Sequence, residues 1–232
     1  MKDRWTICDC GAVYVEFLVV IIPFLTLFLG LTQLALVYGA QLMVEHAAAR
    51  AVRAAVVILP DDHEEADYGG VPLNQVGTSG DGLEAYATAP SGGRLAAIGD
   101  AARLTLSPVA PSLDSIASSS VAGAITGNGA VGLALGVLGW NEWAVAVTFV
   151  DSEGGYVTTF EPRGPVTVRV TFLFRCAVPM ARRLMCSPFD DLDSKRREAL
   201  MTNGGLLAGI ADVAGWQLLA LEAERTFPNQ GI

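Results

Sequence analysis

From Phe17 to Val44 the chain runs for 28 residues without a charged side chain, bounded by Glu16 and Glu45. A helix of that length is about 42 Å long at 1.5 Å per residue, against a bilayer hydrocarbon core of about 30 Å. The segment can cross a membrane with helix to spare. A cleaved secretory signal is one alternative, since Ala47-Ala48-Ala49 has the small side chains of a cleavage site. Such signals carry an apolar region of about 7–15 residues, which this one far exceeds. A plain N-terminal anchor is the other alternative, and the residues ahead of the span bear on it.

Composition agrees with an anchor joined to one folded domain. Of 232 residues, 52% are hydrophobic and 17% charged, where soluble domains carry about a quarter charged residues. Disorder is excluded for the chain as a whole, because disordered chains lack this much apolar surface. The formal net charge is −9, with Lys2 and Lys195 the only lysines. That balance argues against nucleic acid as a partner, which calls for a basic footprint. It equally argues against a polybasic membrane patch.

The leader MKDRWTICDCG is followed by Ala12-Val13-Tyr14-Val15-Glu16-Phe17. An acid within a membrane helix costs about 2.5–3.5 kcal/mol on insertion scales. Glu16 therefore has a functional role unless it simply reaches the headgroups from the edge of the span. Gly11-Ala12-Val13-Tyr14-Val15-Glu16 resembles the processing site of type IV pilin-like proteins, in which a prepilin peptidase cuts after the glycine. Glu16-Phe17 resembles the Glu-Tyr pair of the tight-adherence (Tad/Flp) branch, with Phe in place of Tyr. The stretch from Gly11 to Arg53 is similar to the TadE-like family, with Gly-Ala, Val-Glu-Phe, a proline in the span and an Ala-rich exit with spaced arginines. Weaker echoes are Val166–Cys176 and Ala223–Gly231.

The resemblance implies a leader at 1–11, a processing site at Gly11 and Ala12, and assembly roles for Glu16 and Phe17. It implies a minor pilin or pseudopilin of a Tad-type pilus, single-pass in the inner (cytoplasmic) membrane, with its N-terminus cytoplasmic and its domain outside. Its partners would be prepilin peptidase, other pilin-like subunits, the Tad assembly platform and membrane lipid. The chemistry of such a site follows from spacing. Ala12 and Glu16 are four apart and share a helix face, so cutting after Gly11 frees an amine that Glu16, or a neighbouring subunit's acid, can pair with. Such pairing offsets the desolvation of the carboxylate. The leader departs from the pattern in its charge, since Lys2 and Arg4 are balanced by Asp3 and Asp9, where a cytoplasmic flank is usually cationic. Ala12 also stands where ordinary type IV pilins carry an aromatic.

Pro23 removes one helix hydrogen bond, which membrane helices tolerate. Gly30, Ala35, Gly39 and Ala40 suit close helix approach in lipid. His46–Ala55 is strongly helix-forming, so the helix spans 12–59 and ends at Pro60. Residues 60–94 read as an acidic and Gly-rich linker, with Asp61, Asp62, Glu64, Glu65 and Asp67 but no EF-hand spacing. Residues 95–232 form the exported domain, in which Leu95–Leu106 is helical and Ser112–Gly139 is small-residue helix and loop.

Alternation then predicts strands. Trp143, Val145, Val147 and Phe149 share a face, and Tyr156–Phe160 returns after a turn at Asp151–Gly155. In Val166–Arg175, the apolar Val166, Val168, Val170, Phe172 and Phe174 alternate with Thr167, Arg169 and Thr171, the period of a sheet with one buried face. Helical material is expected at Pro179–Met185 and Asp193–Asn203, and a last strand near Trp216–Ala223. The fold class is α+β, with a small antiparallel sheet and packed helices. Cutting after Gly11, as the resemblance implies, would remove Cys8 and Cys10 with the leader. In an exported domain Cys176 and Cys186 are expected to form a disulfide.

Gly127-Asn128-Gly129-Ala130-Val131-Gly132 matches G-x-G-x-x-G, with Asp151 downstream. The segment before it is a poor strand and further βαβ units are lacking, so no dinucleotide cofactor is expected. With only His46 and His63, a Ser-His-Asp triad is hard to assemble. No metal site or other cofactor is expected either. The chain reads as a structural protein rather than an enzyme; an unprocessed membrane-anchored binding module and a membrane-tethered enzyme are the alternatives.

Overall fold

In the computed structural model the apolar segment and the alanine-rich stretch after it form one helix, α1 (Cys10–Ile58), of 49 residues. At 1.5 Å per residue it is about 73 Å long. The structure describes residues 10–61, 71–76, 86–87, 93–109, 144–151, 155–186 and 217–230. Burial divides α1 into two parts. From Tyr14 to Thr32 no residue is buried, whereas Gln33, Ala40, Val44, Ala47, Ala48, Ala51, Val52, Ala55 and Val56 are. Steps of three and four along this second set place one stripe on one face. Most of the stripe is alanine, which lets the helix backbone approach the sheet closely.

The helix packs on a four-stranded antiparallel sheet in the order β1-β2-β3-β4. Its strands are β1 (Tyr86–Ala87), β2 (Val145–Phe149), β3 (Pro165–Arg175) and β4 (Leu218–Pro228). Proline is acceptable at the first residue of β3, where no ladder donor is lost from the strand interior. Val166, Val168, Val170 and Phe172 are fully buried, each contributing roughly 1.5–3 kcal/mol by leaving water. On the opposite face of the β3–β4 pair the register sets Thr167 against Thr226, Arg169 against Glu224 and Thr171 against Glu222. The hydroxyls of Thr167 and Thr226 lie 2.8 Å apart, and Arg169 Nε donates to Glu224 at 2.6 Å. Cross-strand pairs of this kind fix the register.

A second helix, α2 (Gly93–Leu106), packs on α1 through Leu95, Ile98, Ala102 and Leu106, with a short 3-10 turn, Ser107–Val109, after it. Within the stretch 60–94, Tyr86–Ala87 pairs with β2, and Gln75 forms a bridge to Thr159. Among the described residues a short helical turn, α3 (Arg182–Met185), lies between β3 and β4.

Several elements differ in extent from the sequence pattern. Tyr156–Phe160 is not a strand, because its backbone hydrogen bonds divide between two neighbours. Val157 N–H donates to Phe149, while Phe160 N–H donates to Asn74 and Thr158 accepts from Val76. In β2 burial does not follow the alternation of the sequence, since all five residues are buried. The helix expected at Pro179–Met185 shrinks to α3. The last strand runs on to Pro228, because Glu222, Glu224 and Thr226 continue the alternation opposite β3. Trp143, Ser112–Gly139 with its glycine motif, and Asp193–Asn203 lie outside the described residues.

The long axis of the domain is matched to the helix. Gln41 Nε2 donates to the Glu222 carbonyl at 2.9 Å, and Arg225 pairs with Glu45 at 3.0 Å, so α1 and β4 run in the same direction. Gln33 to Ile58 covers about 38 Å of helix, and β4 covers about 36 Å at strand rise. One end of the domain holds Gln33 and the Cys176–Cys186 loop. The other end holds Leu59, Asn74 and Asn229. There Asn229 Nδ2 donates to Asn74 Oδ1 at 2.9 Å, and Asn74 N–H donates to the Leu59 carbonyl.

Candidate functional site

Gly11 and Ala12 lie on the helical backbone of α1. The unbroken helix sets Ala12 and Glu16 one turn apart. Glu16 is exposed, and so are its neighbours Val15 and Phe17. The structure thus leaves the acid and the aromatic open to an outside partner, be it lipid or protein. Beyond them α1 is long and apolar enough to cross a membrane once. Its hydroxyls are turned inward on the backbone, Thr26 to Ile22 O at 2.8 Å and Thr32 to Phe28 O at 2.9 Å. This arrangement suits surroundings without water.

The helix is uncovered at least from Tyr14 to Thr32, about 28 Å, against a hydrocarbon core of about 30 Å. The helix surplus noted in the sequence is taken up by the folded domain. The boundary is Gln33, which is fully buried and accepts a hydrogen bond at Oε1 from Val178 N–H at 3.2 Å. Sequence reasoning passed over Gln33 and its neighbour in register, Gln41. They are the two amides in the apolar stretch, and that was the available signal. Both bind the domain.

Cys176 and Cys186 form a disulfide, with Cα atoms 6.5 Å apart. It closes the loop that touches Gln33. Met180 in that loop has a left-handed backbone, φ 65°, a conformation that costs a non-glycine residue roughly 1–2 kcal/mol. The pKa of Arg175 at the loop's base is lowered, first by burial and then by the charge of Arg182. Closing a loop of ten-residue separation stabilises by roughly 2–3 kcal/mol. Changing Cys176 and Cys186 together to serine should therefore lower unfolding free energy by that amount, measured by thermal melting of the full chain in detergent. Labelling of both thiols in the unreduced protein would contradict the pairing.

Arg94, near the start of α2, is the other residue that the sequence left unnoticed. It is buried, and its guanidinium donates to the carbonyls of Leu59, Ile58 and, at 2.9 Å, Asp61. These include the last orphan carbonyls of α1, and a cation also suits the negative end of a helix. Among the described residues no group of three or more His, Cys, Asp or Glu could hold a metal ion.

The architecture is a single apolar helix that continues into an α+β domain and serves as one wall of its core. Residues 11–53 match the family model described as TadE-like protein. The match covers the uncovered part of α1 and much of the part that packs on the sheet. No curated protein and no solved structure matches the chain.

Proposed function

We propose that the chain is a TadE-like minor pilin or pseudopilin of a Tad-type pilus, whose work is structural rather than catalytic. In this reading α1 crosses the cytoplasmic membrane, the N-terminus lies inside and the domain outside. A prepilin peptidase cuts after Gly11, and the processed protein enters the filament or helps the assembly platform build it. The family match over residues 11–53 carries the reading, with the exposed Glu16 within it as the residue it turns on. A carboxylate held in lipid is unfavourable by about 2.5–3.5 kcal/mol. The amine freed on Ala12, or that of an adjoining pilin-like subunit, neutralises it and so favours a defined register between subunits.

Mass spectrometry of the mature protein tests the processing step. The expected first residue is Ala12, carrying a methyl group, and an intact Met1 would overturn it. Replacing Glu16 with alanine should leave membrane insertion intact while incorporation into filaments falls at least about ten-fold, the equivalent of one lost charge pairing in lipid. Equal incorporation of the variant would remove Glu16 from the mechanism. The balanced charges of the leader, Lys2 and Arg4 against Asp3 and Asp9, favour a second reading, an unprocessed membrane-anchored binding module. An intact Met1 is the result it requires.

A further inference from the structure

We propose that the Cys176–Cys186 loop is a membrane foot, resting on the anionic headgroups of the bilayer that α1 crosses. Met180 and Leu184 enter the acyl boundary, and Arg182 and Arg183 pair with lipid phosphates. The proposal rests on reading α1 as a membrane span and adds a second point of contact to it.

Position carries the first part of the argument. Val178 N–H is bonded to Gln33, and Gln33 lies about 28 Å along α1 from Tyr14. With Tyr14 at one interface, the loop sits where the hydrocarbon core of about 30 Å gives way to headgroups. Tyr38, 66% exposed on the next turns of α1, belongs at that level, where tyrosine is enriched. The loop is also the end of the domain nearest the uncovered helix, because α1 and β4 rise together from it.

Composition carries the second. Ala177, Pro179, Met180, Arg182, Arg183 and Leu184 are all exposed. Leu184 is 74% exposed and Met180 48%, which puts two apolar side chains on one short disulfide-closed loop. Among the described residues neither Arg182 nor Arg183 is paired with a carboxylate. Arg182 and Arg183 set two exposed cations side by side in a chain of net charge −9. Phosphate oxygens complement such a cluster, and guanidinium binds them well. Apolar tips flanked by arginines suit a surface that is oily below and anionic above.

The test uses the full chain in vesicles of phosphatidylcholine, with and without phosphatidylglycerol. The photo-crosslinker p-benzoylphenylalanine is placed in turn at Phe24, Leu184 and Leu73. Leu73 is an exposed site beside Asn74, at the opposite end of the domain. Lipid adducts are expected at Phe24 and Leu184 and none at Leu73. In the anionic vesicles the double change Arg182→Glu and Arg183→Glu should lower the adduct at Leu184 about ten-fold and leave that at Phe24 unchanged. A lipid adduct at Phe24 with none at Leu184 would overturn the foot while sparing the span. So would a protein adduct at Leu184, or a yield there indifferent to both phosphatidylglycerol and the charge reversal. Absence of lipid at Phe24 would overturn the span itself.

Discussion

Replacing Arg94 with methionine is expected to lower the unfolding free energy of the chain by about 3 kcal/mol or more, since a hydrogen bond to a charged group contributes about 1.5–3 kcal/mol. Arg94 is buried and donates to the Leu59 and Asp61 carbonyls, with a longer contact to Ile58. Methionine fills comparable space but donates nothing, so these carbonyls lose their charged donor, with only Asn74 N–H left on Leu59 and Asp61 N–H on Ile58. Lysine should recover only part of the loss, because one ammonium cannot reproduce the fork of a guanidinium. Thermal unfolding of the full chain in detergent measures both. Stability of the methionine variant within about 0.5 kcal/mol of the parent, the range of ordinary surface changes, would show that the contacts do not hold the helix end.

The second large effect is expected at Phe172. Its side chain is fully buried, and the register places it between Val145 of β2 and Leu221 of β4. Phe172→Ala should cost about 3–5 kcal/mol, as lost transfer energy plus the cavity left behind. Arg169→Ala on the opposite face is the contrast, since its bond to Glu224 is partly exposed. Such a pair is worth about 1 kcal/mol or less. Comparable losses at the two sites would mean that the faces of β3 are assigned wrongly.

Phe172 and Arg169 also show what was legible in the sequence. The alternation in β3 gave both its span and its buried face, because a half-buried strand writes its environment into every second residue. The two-residue β1 writes nothing comparable. In β2 alternation placed the strand, but it did not tell that the face of Ala146 and Thr148 is buried too. Helix α1 could be drawn almost to the residue, because its apolar run, its alanines and Pro60 agree. The point at which it passes from uncovered rod to core element could not, since leucine and valine suit lipid and protein interior equally. Gln33 decides that boundary through a partner 145 residues away, a relation that no local pattern records. Arg94 escaped for the same reason, as its acceptors lie 33 to 36 residues earlier in the chain.

The alignment of α1 with β4 has a mechanical consequence. Tension applied at the Glu16 end travels along the helix and passes into the sheet through the Gln41–Glu222 and Glu45–Arg225 contacts and the alanine stripe. These contacts lie side by side along the line of pull, so they share the load in shear instead of parting one after another. From Gln33 to Ile58 the rod is unbroken. A tug on the anchor therefore hauls the whole domain at once.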